Sequence, residues 1–278
     1  MCQTSEVFNI SPDIQIHYRI DDFTDGWVDA PTVLMLHGIG ESTDAFTGWV
    51  PHLARLCKVI RVDLRGFGKS SPISADQDIK LNDFSNDIEK LIEHLKLDKV
   101  HLIGAKLGAQ IGMQLAQNQP SWLASMTIAG ILISPAGALG NWVEKWISMV
   151  DEGGTRNWAE LTMPGRMGTA LSSEATEWWT NYMGQTSSDT AIACFRMLPS
   201  MTQVAVLENI TSPCLVIVAA DSSEPNSDSQ RQSTSAMRTW QERIPNSKLV
   251  EINTDSYHVA ATHPDECAIL AQQFISSL

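Results

Sequence analysis

The residue with the most chemical promise in this sequence is a lysine at a sharp turn. The segment Val100-His-Leu-Ile-Gly104-Ala-Lys106-Leu-Gly108-Ala109 reads as an apolar strand, a small-residue turn and the start of a helical run, Gln110-Ile-Gly-Met-Gln-Leu-Ala-Gln. Glycines stand two residues to either side of Lys106, where a tight reversal needs them. A free lysine has a pKa near ~10.4 and is cationic at neutral pH. Two features oppose that charge. The turn opens a helix, whose N-terminal dipole is positive, and burial under an apolar lid lowers an ammonium's pKa further. A lysine so placed can act as a nucleophile or a base.

The elements that must position Lys106 follow from periodicity. An edge hairpin is expected over Val7-Phe-Asn-Ile and Ile14-Gln-Ile-His-Tyr-Arg-Ile20, turning at Ser11-Pro-Asp13. A buried run Thr32–Leu36 ends in His37-Gly38-Ile39-Gly40, and a helix follows through Phe46 to Leu56. The strand Lys58–Val62 leads into Asp63-Leu-Arg-Gly-Phe-Gly-Lys-Ser70. Apolar or helix-facing positions at Phe84, Ile88, Leu91, Ile92 and Leu95 mark a helix opened by Leu81 and capped at Asn82 or Asp83. After the turn at Lys106 come a helix to about Gln119, strands at Leu123–Ala129 and Pro213–Ala219, a helix at Ala236–Arg243, a strand Lys248–Ile252, a loop holding His258 and a last helix from Pro264. Strands alternating with helices imply a mostly parallel sheet covered on both faces. The rhythm breaks only over residues 134–201, a helical stretch rich in Trp and Met.

Nineteen basic residues against 32 acidic give a net charge of −13, which makes nucleic acid and anionic membrane poor partners. No apolar run approaches the ~18 residues of a membrane span, and the N-terminus lacks the pattern of a signal peptide. Five cysteines without C-x-x-C spacing fit a reduced, cytoplasmic setting. His17, His52, His94 and His101 show no metal-ligand spacing, and His37 reads as a structural turn residue. Trp142, Trp146, Trp178 and Met183 are candidates to line an apolar or aromatic substrate pocket. No cofactor is called for, the expected partner is a small molecule, and a homodimer is left open.

Over nearly its full length the chain resembles the α/β-hydrolase family. The resemblance is carried by the His37–Gly40 turn, the Asp63–Ser70 loop, the Gly104–Gly108 turn, the strand ending Ala219-Ala-Asp221, and His258 in the late loop. It implies an eight-stranded, mostly parallel α/β sheet, with 1–133 and 202–278 as the core and 134–201 as a helical cap. It also implies that Lys106 stands where the family carries its serine nucleophile. The amides of Ile39 and Leu107 would form an oxyanion hole, and His258 would be the general base. The orienting acid departs from the usual Gly-x-x-Asp: here Ala219-Ala-Asp221-Ser222 puts Asp221 one residue early and Glu224 two late.

With lysine in that position an acyl-enzyme would be an amide, which water attacks slowly. Two routes remain for cofactor-independent cleavage of a C–C, ester or lactone bond beside a carbonyl. In one, Lys106 forms a Schiff base with a ketone or aldehyde. In the other it supplies a hydrogen bond or positive charge to a developing oxyanion while His258 activates water. The rivals are a ligand receptor that keeps the pocket without turnover, and a plain esterase using Ser134 or Ser222.

Overall fold

The computed structural model describes residues 2–202, 204–220 and 232–278. Eight strands form one sheet: β1 (Cys2–Ser11), β2 (Ile14–Asp22), β3 (Thr32–Leu36), β4 (Lys58–Val62), β5 (Val100–Gly104), β6 (Leu123–Ala129), β7 (Cys214–Ala220) and β8 (Ser247–Asn253). Their order is β1-β2-β4-β3-β5-β6-β7-β8. β1 and β2 pair antiparallel, as do β2 and β4, and every later pairing is parallel. The central strands β3 and β5 are buried almost throughout, as expected of apolar runs covered on both faces.

Two apolar layers flank the sheet. On one face Val33, Met35, Ile103 and Ile217 meet Trp49 and Leu53, around the short helix α1 (Val50–Leu53), and Cys267 and Ala271 of the last helix (Pro264–Ser276). On the other, Leu34, Leu36, Leu102 and Ile128 meet α2 (Leu81–His94) and α3 (Leu107–Ala116). The helix expected from Phe46 to Leu56 is shorter: a single 3-10 turn at Thr43–Phe46 precedes α1. Asp83 does cap α2, but from inside its first turn, where Oδ2 accepts the Lys80 N–H at 2.8 Å. His263 immediately precedes the last helix, and its ring bonds Thr262 Oγ1 rather than the helix end.

Between β6 and β7 the described residues include the α-helices α4 (Pro135–Leu139), α5 (Val143–Met167), α6 (Ser173–Met183) and α7 (Ser188–Met197). α5 is kinked at Gly153-Gly154, where Gly154 takes φ +73°. The layer's own core is aromatic: Trp146, Trp158 and Phe195 sit with ring centroids 4.8–5.8 Å apart. Polar contacts fasten it to the loops at the ends of the strands. The Arg166 carbonyl accepts from His258 N and Ser256 Oγ, both at 3.1 Å, and Thr169 N donates to the Asp255 carboxylate at 3.0 Å. Ser42 N donates to the Tyr182 hydroxyl, and Ile73 N to Thr190 Oγ1. Among the described residues no helix is long and apolar enough to cross a membrane.

Candidate active site

Lys106 is held at the mouth of the sheet by backbone geometry. β5 ends at Gly104, in register with Leu36 of β3 and Ile128 of β6. Lys106 then takes φ +52°, ψ −109°, a conformation an L-residue adopts only under constraint. The constraint is visible. Lys106 N donates to Gly130 O, and Gly108 N to His37 O, each at 2.9 Å. Gly108 is obligatory here, because a Cβ would lie 2.0 Å from the Leu36 carbonyl oxygen. The turn therefore projects the lysine off the end of the sheet, beneath the helical layer.

There Lys106 Nζ donates to Glu41 Oε1 at 3.1 Å, and the same oxygen lies 2.9 Å from His258 Nε2. Glu41 is wholly buried and His258 nearly so, while the lysine side chain is 11% exposed. The second Glu41 oxygen accepts the Gly38 N–H at 3.1 Å, so the carboxylate is fixed at both ends. The imidazole is at contact distance from Glu41 but off the hydrogen-bond axis, and both its ring nitrogens lack a hydrogen-bonding partner among the described residues.

The ionisation states follow from burial and from one another. Burial pulls the Lys106 ammonium down to about 8, against the Glu41 carboxylate, which holds it up. Burial and the Lys106 charge depress His258 to about 4, so at neutral pH the ring is uncharged. For Glu41, burial alone would raise the pKa, but Lys106 and His258 together hold it well below the ordinary carboxylate range. Near pH 7 the trio is an ammonium, a carboxylate and a neutral imidazole.

Of the three, Lys106 lines a cavity of about 60 Å³, while Glu41 and His258 stand behind it. A single water needs ~10–15 Å³ by a comparable measure, so the space holds several waters. Lys106, Ile39 and Leu107 form its floor, with Trp146, Trp158, Phe195 and Met201 in the wall. The Ile39 and Leu107 amides donate to no described residue. Met183, expected to line the pocket, packs beside the site without lining this cavity: its Sδ accepts from Arg166 at 3.5 Å, and its Cε would sit 2.9 Å from a Cβ on Gly40.

Trp142 and Trp178 correct the sequence reading, since neither lines the cavity. Trp142 is taken up by a cation–π contact with Lys145 at 4.8 Å. Trp178 is 51% exposed and stacked outside on Tyr182; its neighbour Trp179 faces inward instead, with its ring 5.4 Å from that of His258. Asp221, Glu224 and Ser222 lie outside the described residues. Ser134 is a helix cap, its Oγ accepting from Gly137 N.

Two site residues escaped the sequence reading. Glu41 directly follows the His37–Gly40 turn, and that adjacency was the available signal. Arg166, 3% exposed in α5, lines the cavity with its guanidinium carbon 3.9 Å from the Trp158 ring centroid. His37 is structural as expected: Nδ1 donates to Gly38 O and Nε2 accepts from Leu64 N. His17 is structural as well. It joins Ser5 Oγ and Asp63 Oδ2, each at 2.7 Å, pinning the edge hairpin to the Asp63–Ser70 loop away from the cavity. Among the described residues no group of His, Cys, Asp and Glu is placed to hold a metal ion.

An open parallel sheet with its sharpest turn after β5, a histidine after β8 and helices inserted after β6 define a class, and the profile of the α/β hydrolase fold matches residues 31–260. The chain belongs to that family. It is 29% identical over 149 residues to the proposed carbamate hydrolase RutD of Variovorax paradoxus, covering 52% of this chain and 53% of that one. It is 30% identical over 128 residues to the 2-hydroxy-6-oxononadienedioate/2-hydroxy-6-oxononatrienedioate hydrolase 2 of Pseudomonas putida, covering 42% and 41%. These alignments span about half the length of the relatives or less. A hydrolase structure from Pseudomonas aeruginosa superposes with a TM-score of 0.82 at 20% identity over 98% of both chains.

Proposed function

We propose that the protein is a hydrolase that cleaves a bond beside a carbonyl in a small, apolar-bodied substrate, without a covalent serine intermediate. Lys106 stands where the family's serine nucleophile is expected, and two relatives are named as hydrolases. The observation that carries the reading is the Glu41 carboxylate shared by Lys106 and His258.

The neutral imidazole of His258 takes a proton from water as the oxygen adds to the carbonyl carbon. The resulting imidazolium forms 2.9 Å from the Glu41 carboxylate, which stabilises it. The carbonyl π pair moves onto oxygen, where the Ile39 and Leu107 amides and the Lys106 ammonium receive the negative charge. Collapse restores the carbonyl and expels the leaving group, to which His258 returns the proton. Lys106 needs only its charge and never becomes acylated. A Schiff base through Lys106 is the second reading, favoured by a pKa of about 8, which leaves a fraction of free amine at neutral pH.

The experiment is turnover of a panel of aromatic esters, lactones and 1,3-diketones by the wild type, Lys106→Ala and His258→Ala. Both variants should lose at least ~100-fold in kcat, the scale of one acid–base or oxyanion group, with the fold intact by circular dichroism. Full activity in Lys106→Ala would overturn the reading. Borohydride trapping of a substrate adduct on Lys106 would select the Schiff base, and thermal stabilisation by the panel without any product would point to a receptor.

A further inference from the structure

The cavity wall carries more positive charge and more hydrogen-bond donors than the protein itself satisfies. Arg166 is buried, yet among the described residues its guanidinium meets no carboxylate and no carbonyl; its one acceptor is the Met183 thioether, a weak one. Its Nε has no partner, and neither do the indole N–H groups of Trp146 and Trp158. All three residues line the same cavity as Lys106. Buried donors left unsatisfied are costly and rare in folded proteins.

The charge balance points the same way. Within the site the Glu41 carboxylate faces Lys106 and His258, and its one full ion pair is with Lys106. Arg166 feels the Glu41 charge, but among the described residues no carboxylate pairs with it directly. Burial lowers its pKa only to about 10, so it stays charged at neutral pH. Stacking on Trp158 repays part of its desolvation, as cation–π contacts do. A buried cation with a free planar fork of N–H donors matches a carboxylate better than any neutral group.

We infer that this cavity is built for an anionic ligand, and that Arg166, with the indole N–H groups of Trp146 and Trp158, forms a subsite for a carboxylate on the substrate. The unpaired Gln110 Oε1 in the same wall adds an acceptor, fitting a ligand that also carries a hydroxyl or enol proton. The inference rests on this cavity being the substrate site of the proposed hydrolase. It narrows the substrate to small oxo- or hydroxy-acids whose acid group sits against Arg166 while the carbonyl reaches Lys106.

The test is calorimetric binding of benzoate and 2-oxobutyrate against their neutral amides at neutral pH, so that no turnover is needed. The acids should bind the wild type about tenfold or more tightly than the amides, the factor one charge-assisted hydrogen bond supplies. Arg166→Gln should abolish that preference and Arg166→Lys should retain part of it, both keeping the wild-type Tm and amide affinity. Equal affinity for acids and amides, or no binding of either acid at millimolar concentration, would overturn the subsite. So would an equal loss for acids and amides in Arg166→Gln, which marks a packing role. Lys106→Ala separates this inference from the activity it rests on. Acid-selective binding there, with turnover unchanged from wild type, removes the proposed mechanism and leaves the subsite standing. Loss of turnover without acid preference in the wild type does the reverse.

Discussion

At the scale of single residues, burial lowers two ionisations and one carboxylate, Glu41, opposes both shifts. Because Glu41 keeps Lys106 charged up to about pH 8 while His258 is neutral above about 4, the rate should follow a bell. It rises as His258 loses its proton near 4 and falls as Lys106 loses its own near 8. A Schiff-base route gives the opposite alkaline behaviour, since the free amine is then the active form and the rate climbs through 8. A pH profile of kcat/KM from 3 to 10 therefore separates the two mechanisms in one measurement. Glu41→Gln removes the charge that holds the ammonium up, so the alkaline limb should move down by about one unit or more. Lys106 was legible in the sequence because glycines frame it. Glu41 and Arg166 were not, because a charged residue on a loop or helix reads as solvent-facing, and only the fold reveals that both are buried.

At the scale of elements, the turn after β5 and the docking of α5 decide whether the site exists. Gly108→Ala forces a Cβ to within 2.0 Å of the Leu36 carbonyl, a backbone atom that cannot step aside. Loss of at least ~3 kcal/mol of stability is expected, or failure to fold, read by urea denaturation of the soluble protein. Asp255, whose carboxylate accepts the Thr169 amide at 3.0 Å, fastens the end of α5 to the His258 loop. Asp255→Ala should speed amide hydrogen exchange across residues 166–170 and lower kcat, with little effect on exchange in the sheet. The sheet rhythm was readable in the sequence, since apolar runs bounded by turn residues leave few alternatives. The α5 kink and the choice of inward-facing tryptophans were not: Trp178 and Trp179 are adjacent in sequence, and helix rotation alone sends one outside and one toward His258.

At the scale of the whole molecule, the buried site should make the protein acid-labile before its surface carboxylates titrate. His258 is depressed from the free value near ~6.5 to about 4. Between those values the unfolded chain binds a proton that the folded one refuses. Stability is thus complete above ~6.5 and is lost as pH falls toward 4, by on the order of 2–3 kcal/mol from this group. Asp63 extends the loss further down: burial would raise its carboxyl, but His17 and the Lys69 and Thr43 amides bring it to about 2. Denaturant titrations at pH 7 and 4.5 should show the drop, and a shallower one in His258→Gln.

The helical layer over Lys106 also has a consequence in time. The amine's pKa of about 8 exists only while the layer shields it from water. Admitting solvent past Trp158 and Phe195 returns Lys106 toward the ~10.4 of a free lysine. Between those two values each opening takes up a proton and each closing expels one. Any opening of the layer would therefore be coupled to proton uptake, and alkaline buffer should favour the closed position even with nothing bound beneath it.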